Sequence, residues 1–199
     1  ADWRWSDRQI EASRQAALGR LDLRDGLWVY GYGSLMWDPG VHFAEIRLAA
    51  LDGHQRRFNF QTSMARGTVE QPALMLSLQA CTGCCQGLAI HLAAERAEAE
   101  LEILWRREMI RGAYRPVMLP VATPQGEISA LVFTSNPSHP EYVGELPLPD
   151  TAAIIARASG VMGSNRAYLE QIAHQLQTLD IHDDYVMRLL RLVQDCGGP

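Results

Sequence analysis

The sequence predicts an α+β fold, and three observations carry that expectation. Short segments with the composition or alternation of strands recur between residues 27 and 134. One long helical segment, 93–109, interrupts them, and beyond residue 150 the pattern is helical throughout. Strands with one inserted helix and then a helical tail is the order of an α+β domain. A doubly wound α/β chain would alternate strand and helix along its length.

The chain opens with Ser6 and Gln9, spaced as a capping box, which predicts a helix over 7–21 and a turn over 22–26. Leu27-Trp28-Val29-Tyr30 is an apolar run that reads as the first strand, followed by strand-like segments at 57–62, 74–78, 86–92, 116–121 and 128–134. Thr82-Gly83 is expected to turn a hairpin between the segments around Leu74 and Leu88. Pro116 and Pro120 cannot donate to a ladder, which confines their strand to an edge or a bulged pairing. Residues 135–149 are polar and proline-rich without periodicity, a length typical of a lid or binding loop. Three helices are expected after it: 151–159, capped by Asp150 and stopped by Gly160; one begun at Ser164, with Asn165 read as a cap; and 182–193. The division expected from this pattern is an N-terminal helical arm, 1–26, and a single domain, 27–199.

Composition narrows the function. The net charge is −5 with Lys and Arg scattered, which argues against nucleic acid and anionic membranes as partners. No 18-residue apolar stretch occurs, and the first residues lack the apolar centre of a signal peptide, so the cytoplasm is the expected location. Of the four cysteines, Cys81, Cys84 and Cys85 form C-x2-C-C, and Cys196 lies far off. A structural zinc site needs four ligands, and the second half of such a pattern is missing. The expectation is incidental thiols and no metal. His54, His91, His139, His174 and His182 show no ligand spacing and receive no role.

Two features carry chemistry. The first is Tyr32-Gly33-Ser34-Leu35-Met36-Trp37, directly after the first strand. Gly31 and Gly33 bracket Tyr32, and residues without Cβ permit positive φ and a close backbone approach. Such a turn leaves N–H groups pointing outward, a site for a carboxylate or an oxyanion. An ordinary strand-ending turn with an aromatic plug satisfies the same pattern.

The second feature is Glu108. Leu101, Leu104 and Trp105 form an i, i+3, i+4 stripe on the helix, and Glu108 points within about 20° of Leu101. Glu95, Glu100 and Glu102 fall off the stripe and are expected to be solvated. A carboxyl among Leu and Trp is partly desolvated, which raises its pKa toward the range of general acid–base work. An ion pair with Arg111 or Arg115 is the alternative reading.

Together these residues resemble the ChaC-type γ-glutamylcyclotransferases. The resemblance rests on Tyr32-Gly33-Ser34-Leu35 and on Arg107-Glu108 followed by Gly112 and Tyr114. Supporting pieces follow the same order: Gly53 through Arg56, Arg57 and Phe58; Arg66-Gly67-Thr68; Asn136-Pro137 with Tyr142 and Gly144; and Gly163-Ser164-Asn165 before Tyr168-Leu169. The family departs from this chain at Met36, where a β-branched residue is usual, and at Pro72-Ala73-Leu74, where Pro-Gly-Arg is usual.

The resemblance implies a small, mostly antiparallel β-barrel with the site at its mouth, an inserted helix carrying the catalytic residue, and a C-terminal helical tail. It implies cleavage of glutathione to 5-oxoproline and cysteinylglycine, by attack of the glutamyl α-amine on its own γ-carbonyl. Glu108 would be the acid–base residue. Tyr32, Gly33, Ser34, Leu35, Met36 and Trp37, with Arg66 and Tyr142, would bind substrate. No metal or cofactor is called for. Other γ-glutamyl amino acids or γ-glutamylamines as substrates, and a noncatalytic binding barrel, remain alternatives at this stage. Glu108 on the apolar stripe speaks against the last.

Overall fold

The first strand, β1 (Leu27–Gly31), is a five-residue run buried at four of its positions. In the computed structural model, which describes residues 3–196, it pairs on both sides. On one side it runs antiparallel to β3 (Ala73–Leu92), with Val29 opposite Ile90 and Gly31 opposite Leu88. On the other it runs parallel to β5 (Gly126–Ser135), with Trp28 opposite Ala130. With β2 (Glu45–Thr62) and β4 (Tyr114–Thr123) the order β1-β3-β2-β4-β5 closes into a barrel, and the β1–β5 seam is parallel. The expected α+β barrel with helices is what forms.

Two strands are far longer than the sequence suggests. β2 starts at Glu45 instead of 57, and β3 runs unbroken through Thr82-Gly83, so the expected hairpin there does not exist. Residues 82–84 are exposed, and small polar residues on a solvated stretch of strand have the composition of a turn. Pairing with β2 keeps them extended. Gly53 supplies the irregularity instead, with φ +76 inside β2. β4 pairs along its length with β5, from Tyr114 opposite Ser135 to Thr123 opposite Gly126. Its register to β2 is Ala50 opposite Ala122, beyond both prolines.

The chain divides into two compact units, one of residues up to 54 with 80–136, the other of 55–79 with residues from 137 on. In the first, α1 (Asp7–Leu18) starts on the expected capping box: Ser6 Oγ accepts from Gln9 N at 3.3 Å, and Gln9 Oε1 accepts from Ser6 N at 2.9 Å. It ends three residues short of the expected 21. α2 (Ala94–Glu108) buries Leu101, Leu104 and Trp105, and Trp105 meets Phe133 edge-on at 5.3 Å. Burying each of these side chains contributes about 1.5–3 kcal/mol. α1 is held to α2 by Arg14 on Glu98 at 2.5 Å and by Trp105 Nε1 donating to Ser13 Oγ at 3.3 Å. Glu100 is buried rather than solvated, because a loop covers its side of the helix: Glu100 Oε2 accepts from His42 N at 3.2 Å.

In the second unit the segment after β5 lies along the end of β2. Val143 N donates to Asn59 O and Gln61 N to Glu141 O, each at 2.9 Å, and Phe60 bridges Tyr142. α3 (Leu148–Arg157) begins at Pro147 without a side-chain cap; Asp150 lies within its first turn rather than at its cap. Gly160 is no helix stop either. It belongs to a short hairpin, β6 (Ser159–Gly160) and β7 (Gly163–Ser164), where a Cβ would stand 2.4 Å from Ala65 O. Ser164 caps α4 (Asn165–Thr178) through Ala167 N at 3.0 Å, as expected. Asn165 is not the cap: it is fully buried, and its amide accepts from Leu74 N and donates to Leu74 O, both at 2.8 Å. α5 (Asp184–Asp195) is capped by Asp183, which also receives the buried Arg56 at 3.0 Å.

Candidate active site

The turn after β1 is built by the end of the strand. Tyr30 and Tyr32 are buried, and their hydroxyls donate to Cys85 O at 2.7 Å and Phe133 O at 2.8 Å. These bonds fix both sides of Gly31. A Cβ on Gly31 would come within 3.1 Å of Leu35 Cβ, so the close approach expected of this glycine is real. The positive φ is not: neither Gly31 nor Gly33 adopts one, and Gly33 sits at φ −134, ψ −127.

Ser34–Met36 then form one turn of 3₁₀ helix. Met36 N donates to Gly33 O at 2.9 Å, while Trp37 N and Asp38 N donate to Ser34 O at 3.2 and 2.8 Å. The N–H groups of Gly33, Ser34 and Leu35 donate to no acceptor among the described residues. A helical turn exposes its first N–H groups for this reason, and three in succession make a cradle for negative charge. Leu35 and Met36 bury their side chains, which anchors the turn, and Gly33 is buried as well; Ser34 and Trp37 are half-buried.

Glu108 is the last residue of α2, on the stripe where the spacing put it. Its side chain is 15% exposed. Burial pushes the carboxyl from 4.5 up to about 7, and the charge of Arg107 pulls in the opposite direction. The C-terminal end of a helix also disfavours a carboxylate. The cation beside it is therefore Arg107, with Nε 3.4 Å from Glu108 Oε1, and not the Arg111 or Arg115 weighed from sequence; Arg115 Nε donates to Asn136 Oδ1.

Arg107 also reaches the turn. Its Nη2 donates to Ser34 Oγ at 3.0 Å and its Nη1 to Asp38 O at 2.5 Å. Sequence reasoning assigned it no role. About 100° off the apolar stripe, it reads as a solvated helix cation, and its contacts come from the loop folded over it. The first unit thus brings together Tyr32, the open N–H groups of the turn, Ser34, Arg107 and Glu108.

Arg66 and Tyr142 belong to the second unit. Arg66 lies against the β6–β7 hairpin, with Nη1 3.5 Å from Ser164 O and its guanidinium 5.9 Å from the Tyr168 ring. Tyr142 packs its ring edge-on against Phe60 at 5.5 Å. Among the described residues no three His, Cys, Asp or Glu side chains gather as a metal would need, and the cysteines are free thiols. No described helix is long and apolar enough to cross a membrane.

Comparison with known proteins extends the resemblance to nearly the whole chain. A family model described as ChaC-like protein matches residues 27–196. A glutathione-specific γ-glutamylcyclotransferase of Escherichia coli is 38% identical over 187 residues, spanning 94% of this chain and 80% of that protein. A γ-glutamylcyclotransferase of Arabidopsis thaliana is 34% identical over 182 residues, 84% of this chain and 82% of the other. Among solved structures, a selenomethionine-labelled γ-glutamyl cyclotransferase specific to glutathione from yeast shares the fold, with a TM-score of 0.77 at 22% identity over 86% of this chain and 96% of that one. Barrel, turn and buried glutamate thus sit within a match that runs from the first strand to the last helix, and the chain belongs to the ChaC-like family.

Proposed function

We propose that this protein is a γ-glutamylcyclotransferase that cleaves glutathione to 5-oxoproline and cysteinylglycine, with Glu108 as its acid–base residue. The observation that carries the reading is a buried carboxyl raised to about 7, joined through Arg107 to a turn whose first N–H groups have no acceptor among the described residues, in a chain whose relatives are named for this reaction.

The chemistry makes three demands. The α-ammonium of the glutamyl group must lose a proton before its nitrogen can attack. Glu108, partly ionised near neutral pH, takes that proton, and general acid–base catalysis of this kind contributes about 10²–10⁴-fold. The nitrogen then bonds to the γ-carbonyl carbon, and the carbonyl oxygen becomes an oxyanion. In this reading the N–H groups of Gly33, Ser34 and Leu35 hold the substrate's negative charge, each donor aimed at the oxyanion being worth about 3 kcal/mol. Finally the original amide C–N bond breaks, and Glu108 returns its proton to the departing nitrogen. The ring nitrogen, which still carries a second proton, gives it to the freed Glu108 carboxylate, from which the released amine takes it. Holding amine and carbonyl together in a folded glutamyl chain adds the proximity term. Arg66, as a cation, is proposed for the glycine carboxylate of glutathione, and Tyr142 for a hydrogen bond to substrate, both on the strength of the sequence motifs.

The test is incubation of the purified protein with glutathione and, in parallel, with γ-glutamyl-alanine, measuring 5-oxoproline. Release from glutathione supports the reading. Release from γ-glutamyl-alanine alone would replace glutathione with another γ-glutamyl substrate. No release from either would leave a binding barrel.

A further inference from the structure

Arg107 has no step in this chemistry, yet the turn and the carboxyl are both arranged around it. Three of its nitrogens have separate partners: Ser34 Oγ at 3.0 Å, Asp38 O at 2.5 Å and, at 3.4 Å, Glu108 Oε1. The loop after the turn is shaped to admit the guanidinium. Gly40 adopts φ +65, and a Cβ there would lie 2.9 Å from Arg107 Nη1, so a larger residue would be strained and would also press on the cation. A planar fork that bonds in several directions at once is what arginine offers and lysine does not.

We propose that Arg107 is the positioning residue of this site, holding the Ser34 turn and the Glu108 carboxyl in one register and serving as the counter-charge to that carboxylate. The proposal rests on the reading of Glu108 as the acid–base residue. Arg107 acts through its two neighbours and performs no proton transfer itself. The surrounding charges leave it this role. On α2, Arg106 is engaged by Glu102 at 2.7 Å. On the turn and the loop beyond it, the Tyr32 hydroxyl is spent on Phe133 O, and the Asp38 residue is exposed, holding Arg107 through its carbonyl. The charge that bears on the Glu108 carboxyl is that of Arg107, which draws its pKa down against the effect of burial.

The test compares the wild-type protein with R107Q, R107M and R107K. Glu108 is titrated by carbon-13 NMR of protein labelled at the glutamate carboxyl carbons, with E108Q identifying the resonance, and the pH profile of kcat/KM on glutathione is recorded. R107Q keeps a donor for Ser34 and loses the charge, so it also serves should R107M fold poorly. In R107Q and R107M the Glu108 titration and the acid limb of the profile should both rise by about one pH unit or more. R107K keeps the charge and should leave the titration within about half a unit of wild type. Its kcat/KM should still fall about tenfold, because lysine lacks the planar fork whose separate nitrogens face Ser34 and Asp38. A Glu108 titration in R107Q equal to that of wild type overturns the proposal. A titration that shifts as expected in protein releasing no 5-oxoproline from any γ-glutamyl compound would sustain the role of Arg107 and remove the proposed reaction.

Discussion

The guanidinium of Arg107 lies 3.4 Å from the Glu108 carboxyl, yet its two Nη groups donate elsewhere, to Ser34 and Asp38. A bidentate pair would lock a carboxylate in its charged form. Here the cation is close enough to moderate the effect of burial and too committed to abolish it. The carboxyl is left with a raised proton affinity, at about 7, and among the described residues its oxygens accept no side-chain hydrogen bond.

Glu108→Gln should abolish turnover and leave the fold and substrate binding in place. Glutamine keeps the volume and one hydrogen-bonding oxygen but cannot carry a proton between two nitrogens. The expected loss is about 10²–10⁴-fold in kcat. Retention of more than about a tenth of the wild-type rate, with binding measured by calorimetry, would remove Glu108 from the proton path.

The same substitution should stabilise the protein, and only at higher pH. The carboxyl titrates near 7 when folded against 4.5 ordinarily, so between those values the folded state binds more protons than the unfolded state. Stability therefore falls as pH rises from about 4.5 to 7, by about 3 kcal/mol at most. Glu108→Gln removes that loss. Urea denaturation should show the variant more stable than wild type at pH 8 and equal to it at pH 4.5. A pH-independent difference would mean that the carboxyl is not desolvated when folded.

How much of this was legible depended on how local each signal was. The Ser6 box, the Ser164 cap and the limits of α2 lie within single turns, and the sequence expectation matches the structure there to within a residue or two. Glu108 was legible for the same reason, since a helical stripe needs only its own neighbours. β2 and β3 were not, because their length depends on pairing with partners distant in sequence, and Thr82-Gly83 has turn composition on a strand. Glu100 and Asn165 were misread, and Arg107 received no role, because the partner of each comes from another segment: His42, Leu74 and Ser34 respectively. Asn165 stands four residues before Leu169 on the buried stripe of α4, a spacing that signals burial but not a backbone partner.

Asn165 carries the clearest stability prediction. Its amide completes the hydrogen bonding of both the N–H and the carbonyl of Leu74, and all of these atoms are buried. Asn165→Leu keeps the bulk and leaves both backbone groups without partners, at a cost of about 1–3 kcal/mol each. Asn165→Asp still accepts from Leu74 N but faces Leu74 O with a charge, so it should be no milder above pH 6. Denaturation midpoints would show this. A loss below about 1 kcal/mol for Asn165→Leu would mean that water replaces the amide.

The last prediction separates the hydroxyl of Ser34 from its N–H. Ser34→Ala removes the acceptor for Arg107 and keeps the backbone donor, at a cost of about 1.5–3 kcal/mol for a hydrogen bond to a charged group. Ser34→Pro removes the hydroxyl and the N–H together. Proline is tolerated at the first position of a helical turn, which is where Ser34 stands, but Gly33 before it lies at ψ −127, outside the range preferred before proline, so the fold of this variant is the first thing to measure. Its ring also fills the space in front of the missing donor. If the N–H groups of this turn bind negative charge in the reaction, Ser34→Pro should fall about a further 10²-fold below Ser34→Ala in kcat/KM on glutathione. Circular dichroism and thermal melts establish that both variants are folded before the rates are compared. Equal rates in two folded variants would show that the turn holds Arg107 and binds no anion through Ser34.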